Sequence, residues 1–393
     1  MSRRAVIVDP CGSGDVGHHS DVNHQLLRAL AASGWAAELW DGERLEGCGY
    51  LDPRHWADLG GNLHLAKLCE QQLQRAQGGG SEGTPQPVGA WILHTALPFQ
   101  LLGLARFLSH QAPAAVMVSL MFPPGETLEG ATADPEAEAL ARVALVALAQ
   151  ATREGGHRLE IWCPAQQTLE LYQPLLTAAG LEATGIHGAV VGAGVAFDGD
   201  GVETGPGVLL HWGDLKPGKG RGAALAVVQE LLDGREAPVS LRGARWLFHA
   251  HSREQLPDGE RELLDRATQE LEAFQWIEGR VEAPEMQRRL AGCTMALLAY
   301  DPEAYGQRSS GLLWCYGAAR LAEGAPAVAV GHGRGWLARE AAELGISWQV
   351  GEGDWLGALG AARRTGTFTA YGRAVLGRSF AEQMVERLTS AVA

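Results

Sequence analysis

The sequence predicts an α/β protein of two domains, each built on a parallel β-sheet covered by helices. The chain has 393 residues, more than one hydrophobic core normally supports, so two domains are expected. Short apolar runs alternate with longer helical segments, a pattern typical of parallel sheets with helices on both faces. The alternation restarts once, after a glycine-rich break at residues 198–207, which we interpret as the linker between the domains.

In the first half, five short apolar runs predict strands. They are Ala5–Val8, Ala37–Trp40, Trp91–His94, Ala115–Ser119 and Glu160–Cys163. Helices are expected between them, one ending near Gly34 and a long alanine-rich one over Glu136–Ala151. Residues 77–86 are rich in glycine and predict a loop that interrupts this half.

The second half repeats the pattern. Its predicted strands are Val208–Trp212, Trp246–His249, Gln275–Ile277, Met295–Ala299 and Ala327–Val330. A helix is expected from about Gly220 to Leu232, and the end of the chain predicts an amphipathic helix. The organisation we expect is an N-terminal domain at 1–200, a C-terminal domain at 201–375, and a terminal helix within 376–393 that packs back across the domains. Both domains are Rossmann-like, with their sheets facing a central cleft.

Composition and charge exclude several classes of protein. The formal net charge is −14 at pH 7, which opposes binding to nucleic acids, whose partners normally present a basic face. The six cysteines form no C-x-x-C pair, so neither a zinc site nor a disulfide framework is indicated. The N-terminus does not resemble a signal peptide and no apolar run approaches a membrane span. We therefore expect a cytoplasmic protein without a metal ion or a transmembrane segment.

One motif joins the first strand of the second half to its helix. Gly213, Lys216 and Lys219 lie in this turn, within His211–Gly220. Glycines let the backbone approach a ligand, and the start of a helix offers unpaired N–H groups to an anion. Two lysines at the same point would add positive charge, so the turn fits a diphosphate as well as it fits an ordinary solvated turn.

A second motif again follows a strand and precedes a helix. It contains Glu303, Arg308, Ser309, Ser310 and Gly311. An arginine can pair with phosphate oxygens through two nitrogens, and hydroxyl and N–H groups at a helix entrance can converge on an anion. The carboxylate is suited to sugar or ribose hydroxyls. One of the serines could equally serve only as the helix N-cap.

Two features of the first half are candidates for the same chemistry. Gly12, Gly14 and Gly17 form a G-x-G-x-x-G pattern after the first strand, and this pattern is also the fingerprint of dinucleotide-binding domains. His94 ends a central strand, at the edge of the sheet where α/β proteins build their sites. A hydrogen-bonded core histidine is the alternative interpretation of His94.

The second half resembles the donor-binding domain of the retaining GT-B glycosyltransferases of family 4. Gly213-Asp-Leu with Lys219-Gly220, Glu303-Ala-Tyr-Gly306 and Gly324-Ala-Pro-Ala-Val328 are similar to three of its motifs. The family's arginine position is occupied by Asp214, and Gly311 stands where the second glutamate of its Glu-x7-Glu pair is expected. Lys216 or Arg308 is expected to replace the arginine.

The resemblance implies the GT-B fold and transfer of a sugar, as a hexosyltransferase, from a nucleoside-diphosphate-sugar to a saccharide or other hydroxyl acceptor. It implies retention of configuration, no metal ion and no cofactor. Lys219 corresponds to the family's lysine, His94 to its cleft histidine, and the loop of Gly14 and Gly17 to one that approaches the donor. Three alternatives stay open: an NAD(P)-dependent oxidoreductase using Gly12–Gly17, a two-domain sugar-phosphate isomerase, and a non-catalytic nucleotide-sugar-binding subunit.

Overall fold

The structure is a computed structural model that describes residues 3–12, 18–45, 59–78, 87–98, 100–125, 135–187, 206–216 and 218–392. The chain divides into two compact units. The first comprises Met1–Gly188 together with Phe380–Ala393, and the second comprises Ala189–Ser379. The predicted linker at 198–207 and the predicted loop at 77–86 lie largely outside the described residues.

The described part of the first unit contains a parallel sheet of six strands. They are β1 (Arg3–Asp9), β2 (Trp35–Asp41), β3 (Val88–Ala96), β4 (Ala115–Leu120), β5 (Arg158–Cys163) and β6 (Gly185–Ile186). The helices between them are α1 (His18–Ala32), α2 (Leu59–Gly78), α3 (Gln100–Leu108), α4 (Pro135–Glu154) and α5 (Gln166–Ala178). The strands lie in the order β2-β1-β3-β4-β5-β6.

This sheet is apolar on both faces because its strands alternate between two cores. Val6 and Val8 of β1 belong to one buried cluster, whereas Ala5 and Ile7 belong to another. Helices cover both faces, so the central strands are continuous apolar runs instead of alternating polar and apolar residues. This is why short runs such as Ala5–Val8 are recognisable as strands in the sequence.

The described part of the second unit contains a second six-stranded parallel sheet. Its strands are β7 (Gly207–His211), β8 (Arg245–Ala250), β9 (Phe274–Glu278), β10 (Cys293–Leu297), β11 (Val328–Gly331) and β12 (Ser347–Val350). Its helices are α6 (Arg221–Leu232), α7 (Asp258–Glu270), α8 (Ala283–Ala291), α9 (Gly311–Ala322), α10 (Trp336–Leu344), α11 (Trp355–Ala361) and α12 (Ala370–Leu376), with 3-10 turns at Val239–Leu241 and Arg253–Gln255. The strand order is β12-β11-β10-β7-β8-β9.

The last helix, α13 (Phe380–Val392), belongs to the first unit although it follows the second in sequence. Phe380, Met384 and Leu388 recur at helical spacing and are buried in the same cluster as Ala5 and Ile7. The described apolar contacts of α13 are therefore with the first sheet, and the helix closes the face that those β1 side chains present.

The prediction of two Rossmann-like α/β halves is confirmed, since each unit has a parallel sheet flanked by helices. The ten predicted strands all overlap observed ones. β6, with two residues, and β12, with four, were not predicted from the sequence. None of the helices in the described ranges is long and apolar enough to span a bilayer.

Candidate functional site

Each unit has a point at which its strand order reverses, and the candidate residues lie there. In the second unit, β8 lies on one side of β7 while β10 lies on the other. Loops that leave two such neighbouring strands diverge to opposite faces of the sheet and open a crevice at the carboxyl ends, where α/β proteins bind ligands. The two loops at this reversal are residues 212–220 after β7 and 298–310 after β10.

The loop after β7 is shaped by three glycines in the left-handed region. Gly213, Gly218 and Gly220 have φ values of 99°, 82° and 77°. A Cβ on Gly218 would come within 2.8 Å of the Cβ of Ala304, and one on Gly220 within 3.1 Å of the backbone of Ala299. Glycine is therefore needed both for the backbone conformation and for the close packing of this loop against the loop after β10.

A buried histidine fixes the start of the same loop. The Gly213 N–H donates to His249 Nδ1 at 3.1 Å, and His249 Nε2 lies 2.8 Å from the carbonyl oxygen of Gly279. Because a carbonyl only accepts, Nε2 carries the proton and Nδ1 is the acceptor. Burial lowers the pKa of His249 to about 4, so the ring is neutral at neutral pH and this arrangement persists.

Lys219 is brought close to Arg308 by the packing of the two loops. The Asp301 N–H donates to the carbonyl oxygen of Gly218 at 2.8 Å, which joins the loops next to Lys219. Burial lowers the pKa of Lys219 below its ordinary value; the opposite charge of Asp214 counteracts this effect, and the positive charges of Lys216 and Arg308 add to it. The structure thus collects three cations at the strand-order reversal, as expected for a site that receives an anion.

Asp214 lies among these cations. One of its carboxylate oxygens is 3.1 Å from Lys216 Nζ and 4.0 Å from Lys219 Nζ. The other is 3.8 Å from His251 Nε2. Although partial burial opposes ionisation, the hydrogen bond from Lys216 and the charges of Lys219, Lys216 and His251 keep the pKa of Asp214 below its ordinary value. In this structure Asp214 is the counter-ion of the lysines.

The two serines of the second motif both have protein partners. Ser310 is the N-cap of α9, where its Oγ accepts from the Leu313 N–H at 3.3 Å and donates to the Tyr300 hydroxyl at 3.2 Å. Ser309 Oγ donates to Glu340 Oε1 at 2.7 Å. The N-cap interpretation holds for Ser310, and neither hydroxyl hydrogen points to open space. Contact of these hydroxyls with an anion stays a prediction.

The start of α9 is nevertheless accessible at Gly311. A Cβ built on Gly311 would meet no heavy atom of the described structure within 4 Å. The guanidinium of Arg308, three residues earlier in the chain, lies 5.7 Å from the ring centroid of Tyr305. Gly311 itself is exposed, so a ligand can approach the backbone at the start of this helix. Glu303 is exposed nearby, and its backbone N–H donates to Asp301 Oδ1 at 2.9 Å.

Glu340 contacts the second motif and was not predicted from the sequence. It lies on α10, is 1% exposed, and accepts from both Ser309 Oγ and Trp314 Nε1 through Oε1, the latter at 2.6 Å. Burial raises the pKa of its carboxyl group to about 7, although hydrogen bonds from Ser309 and Trp314 counteract this effect. A lone glutamate in an amphipathic helix gives no signal of this role in the sequence.

In the first unit, His94 is part of a buried polar network at the equivalent reversal between β1 and β3. His94 is 2% exposed, and its Nε2 lies 2.8 Å from Asn23 Oδ1 while its Nδ1 lies 2.9 Å from Thr95 Oγ1. Asn23 Nδ2 donates to Asp9 Oδ2 at 2.7 Å, and His19 Nδ1 lies 2.8 Å from Asp9 Oδ1. Both ring nitrogens of His94 therefore have protein partners.

Asp9 is the anionic centre of this network. Burial by itself would raise the pKa of its carboxyl group, but hydrogen bonds and charge from His19 and His94 hold that pKa well below the usual range. The ligand atoms of these three residues lie within 4.8 Å of one another, a spacing that could accommodate a metal ion. These atoms already hydrogen-bond to one another or to Asn23, so the geometry supports a polar network without requiring an ion.

Of the glycines predicted for the first unit, only Gly12 is described. Its N–H donates to Asp9 Oδ1 at 3.1 Å, and its carbonyl oxygen accepts from the Gly42 N–H at 2.7 Å. Gly14 and Gly17 lie outside the described residues. The predicted glycine loop therefore begins at the Asp9 network.

Comparison with known proteins gives matches at the level of structure. No protein-family model and no curated protein sequence matches the chain. A UDP-forming trehalose-phosphate synthase from Burkholderia xenovorans is 12% identical, with a TM-score of 0.58 and 100% of both chains covered. The E. coli trehalose-6-phosphate structure bound with UDP-2-fluoro glucose is 12% identical, with a TM-score of 0.55 and coverage of 98% of this chain and 96% of that one.

The Anabaena protein HepE, solved in complex with UDP and glucose, also matches. It is 13% identical, with a TM-score of 0.50 and coverage of 99% of this chain and 100% of that chain. At such identities the likeness concerns the fold, and it extends over nearly the whole length of every chain compared. The chain thus has the fold of these glycosyltransferases, with two Rossmann-like α/β units of the GT-B type.

Proposed function

We propose that the protein is a glycosyltransferase that moves a hexose from a nucleoside-diphosphate-sugar to a hydroxyl acceptor. One observation carries the proposal: the loops after β7 and β10 bring Lys219 and Arg308 close enough to interact electrostatically at the strand-order reversal, and the second of these loops leads into α9. A diphosphate that leaves the sugar gains negative charge, which fixed cations and helix N–H groups stabilise. Solved structures of the same fold contain UDP with glucose or UDP-2-fluoro glucose, and this supports UDP-glucose as the first donor to test.

The roles of individual residues are part of this proposal. Lys219 and Arg308 pair with the diphosphate, with Lys216 at the rim, and the backbone around Gly213 and Gly311 lets the ligand approach. Ser309 and Ser310 hold the start of α9 in place. Glu303, exposed beside the loop, accepts from a hydroxyl of the donor. Retention of configuration and independence of a metal ion enter the proposal through the family resemblance. The transfer then needs only side chains and backbone groups of the protein and the two substrates.

Nucleotide affinity tests the position of the donor site. Replacing Lys219 or Arg308 by alanine removes a charge-assisted contact worth about 1.5–3 kcal/mol, so UDP should bind at least about tenfold more weakly in calorimetry. Arg242→Ala is the matched control, because Arg242 is an exposed cation of the same unit paired with Glu236. Unchanged affinity in both site variants would place the diphosphate elsewhere.

The predicted role of His94 needs a different control because its ring is buried. His94→Ala should lower sugar transfer more than it lowers UDP affinity if the ring acts in transfer. Asn23→Ala disrupts the same network while keeping the imidazole. Equal losses of transfer and of thermal stability in the two variants would show that His94 has a structural role. If the protein binds a UDP-sugar but transfers it to none of the acceptors tested, the result would favour the alternative of a non-catalytic nucleotide-sugar-binding subunit.

A further inference from the structure

A buried carboxylate connects α10 with the start of α9. Glu340 Oε1 accepts from Ser309 Oγ at 2.7 Å and from Trp314 Nε1 at 2.6 Å, and Trp314 Nε1 also lies 3.1 Å from Ser309 Oγ. These three polar groups form a closed triangle. One member precedes the N-cap of α9 and another lies in its first turns, so Glu340 holds the first turn of the helix at two points.

The position of Ser309 in the chain gives this triangle a consequence for the proposed donor site. Ser309 lies between Arg308 and the N-cap Ser310. Fixing its hydroxyl limits the movement of the backbone that carries the arginine and of the N–H groups around Gly311. Because anion sites depend on donors held in place before the ligand arrives, a change at Glu340 reaches the site without contact with the ligand.

The environment of Glu340 also couples this carboxylate to charge at the site. Its Oε2 has no hydrogen-bond partner among the described residues, and no cation is paired with it there. The titratable groups that face it are Glu343 on its own helix and Tyr371 on α12, and the charge of Glu340 contributes to raising the pKa of Tyr371. Arg308, which precedes Ser309 in the chain, is the charged residue next to the serine that Glu340 binds.

We propose that Glu340 is a positioning residue of the donor site, which orders the Arg308–Gly311 turn through Ser309 and Trp314 and disfavours anion binding when it is ionised. The proposal rests on the proposed function, since it requires a nucleoside diphosphate at this turn. Its sign follows from linkage: a bound diphosphate beside the turn disfavours a second buried negative charge, so binding favours the protonated carboxyl group, and protonation favours binding.

The test is the pH dependence of UDP-glucose binding to the full chain, measured by calorimetry between about pH 6 and about pH 8.5. The diphosphate of a nucleotide sugar does not titrate in this range, so changes report on the protein. If binding raises the pKa of Glu340 by about half a unit to one unit, the wild type loses about three- to tenfold in affinity across the range. Glu340→Gln keeps an acceptor for Ser309 and Trp314 but cannot ionise. Its loss of UDP-glucose affinity across the pH range should therefore be at least about threefold smaller than that of the wild type.

Three further variants separate the outcomes. Glu340→Ala removes the acceptor and should weaken binding at every pH, provided that circular dichroism shows it folded. Glu323→Gln removes an exposed charge at the far end of α9 and should keep the wild-type pH profile. Lys219→Ala reports on the donor site itself.

Parallel profiles for wild type and Glu340→Gln would overturn the inference while Lys219→Ala still weakens binding and upholds the proposed function. Absence of binding by the wild type to UDP-glucose and to the corresponding GDP and ADP sugars would overturn the proposed function, and the inference would fall with it.

Discussion

Replacing Glu340 by glutamine should change how the stability of the protein depends on pH. The carboxyl group has an ordinary pKa of 4.5, and burial raises it to about 7 in the folded protein. Below about pH 4.5 the group is protonated in both folded and unfolded chains and has no effect. Between about pH 4.5 and about pH 7 the unfolded chain ionises first, so the free energy of unfolding of the wild type falls as the pH rises.

The magnitude follows from the two values. The difference between 4.5 and about 7, at about 1.4 kcal/mol for each pH unit, is about 3 kcal/mol. Glutamine cannot ionise, so Glu340→Gln should gain about 3 kcal/mol relative to the wild type between about pH 4.5 and about pH 7 and then stay level. The new amide N–H group adds a cost that does not vary with pH, so the slope is the quantity to read.

Urea unfolding over a series of pH values measures this slope, with tryptophan fluorescence and circular dichroism followed together because a chain of two units can unfold in two steps. Glu323→Gln, which removes an exposed carboxylate at the far end of α9, is the control and should follow the wild type. A stability difference between Glu340→Gln and the wild type that is constant with pH would refute the reasoning, because it would mean that the carboxyl group titrates alike in folded and unfolded chains.

Two further predictions concern the loop after β7. Gly220→Ala should lower the free energy of unfolding, measured by thermal unfolding, by about 1–2 kcal/mol, because φ is 77° and the new Cβ would lie 3.1 Å from the backbone of Ala299. Gly222→Ala is the control, because there is open space around its Cβ. It should be neutral or stabilising by up to about 1 kcal/mol in the same measurement. Asp214→Asn should strengthen UDP binding in calorimetry about three- to tenfold at low salt, and less at high salt, because it removes the anion that pairs with Lys216. Weaker binding would mean that Asp214 orders the lysine instead of competing with the ligand.

The sequence predicted every strand that carries an apolar run, and the two described strands that it missed, β6 and β12, lie at the edges of the sheets. Ala5–Val8 and Ala115–Ser119 are continuous apolar runs because helices cover both sides of their sheet. β12 consists of Ser347–Val350, and its residues are half-buried or exposed. An edge strand of this kind carries no apolar run, so its place in the sheet depends on pairing with β11 and not on local pattern.

The candidate site divides in the same way. The glycine, lysine, arginine and serine motifs are local and could be found by their position after a strand and before a helix. That Lys219 and Arg308 lie close enough to interact depends on the strand order, which places β10 next to β7 although many residues separate them in the chain. Asp9 and His19 were missed because a buried network of hydrogen bonds has no sequence spacing of its own.

What the sequence determined by itself is the fold class and the chemistry on offer, because backbone periodicity, glycine turns and charged residue types are properties of short segments. Only the tertiary structure decided which groups meet. In the folded protein the Ser309 hydroxyl donates to Glu340 and the Ser310 hydroxyl caps α9, while Asp214 lies among the lysines. The physical reason is that hydrogen bonds and ion pairs form between groups that the packing of sheets and helices brings within a few ångströms, and that distance is set by topology.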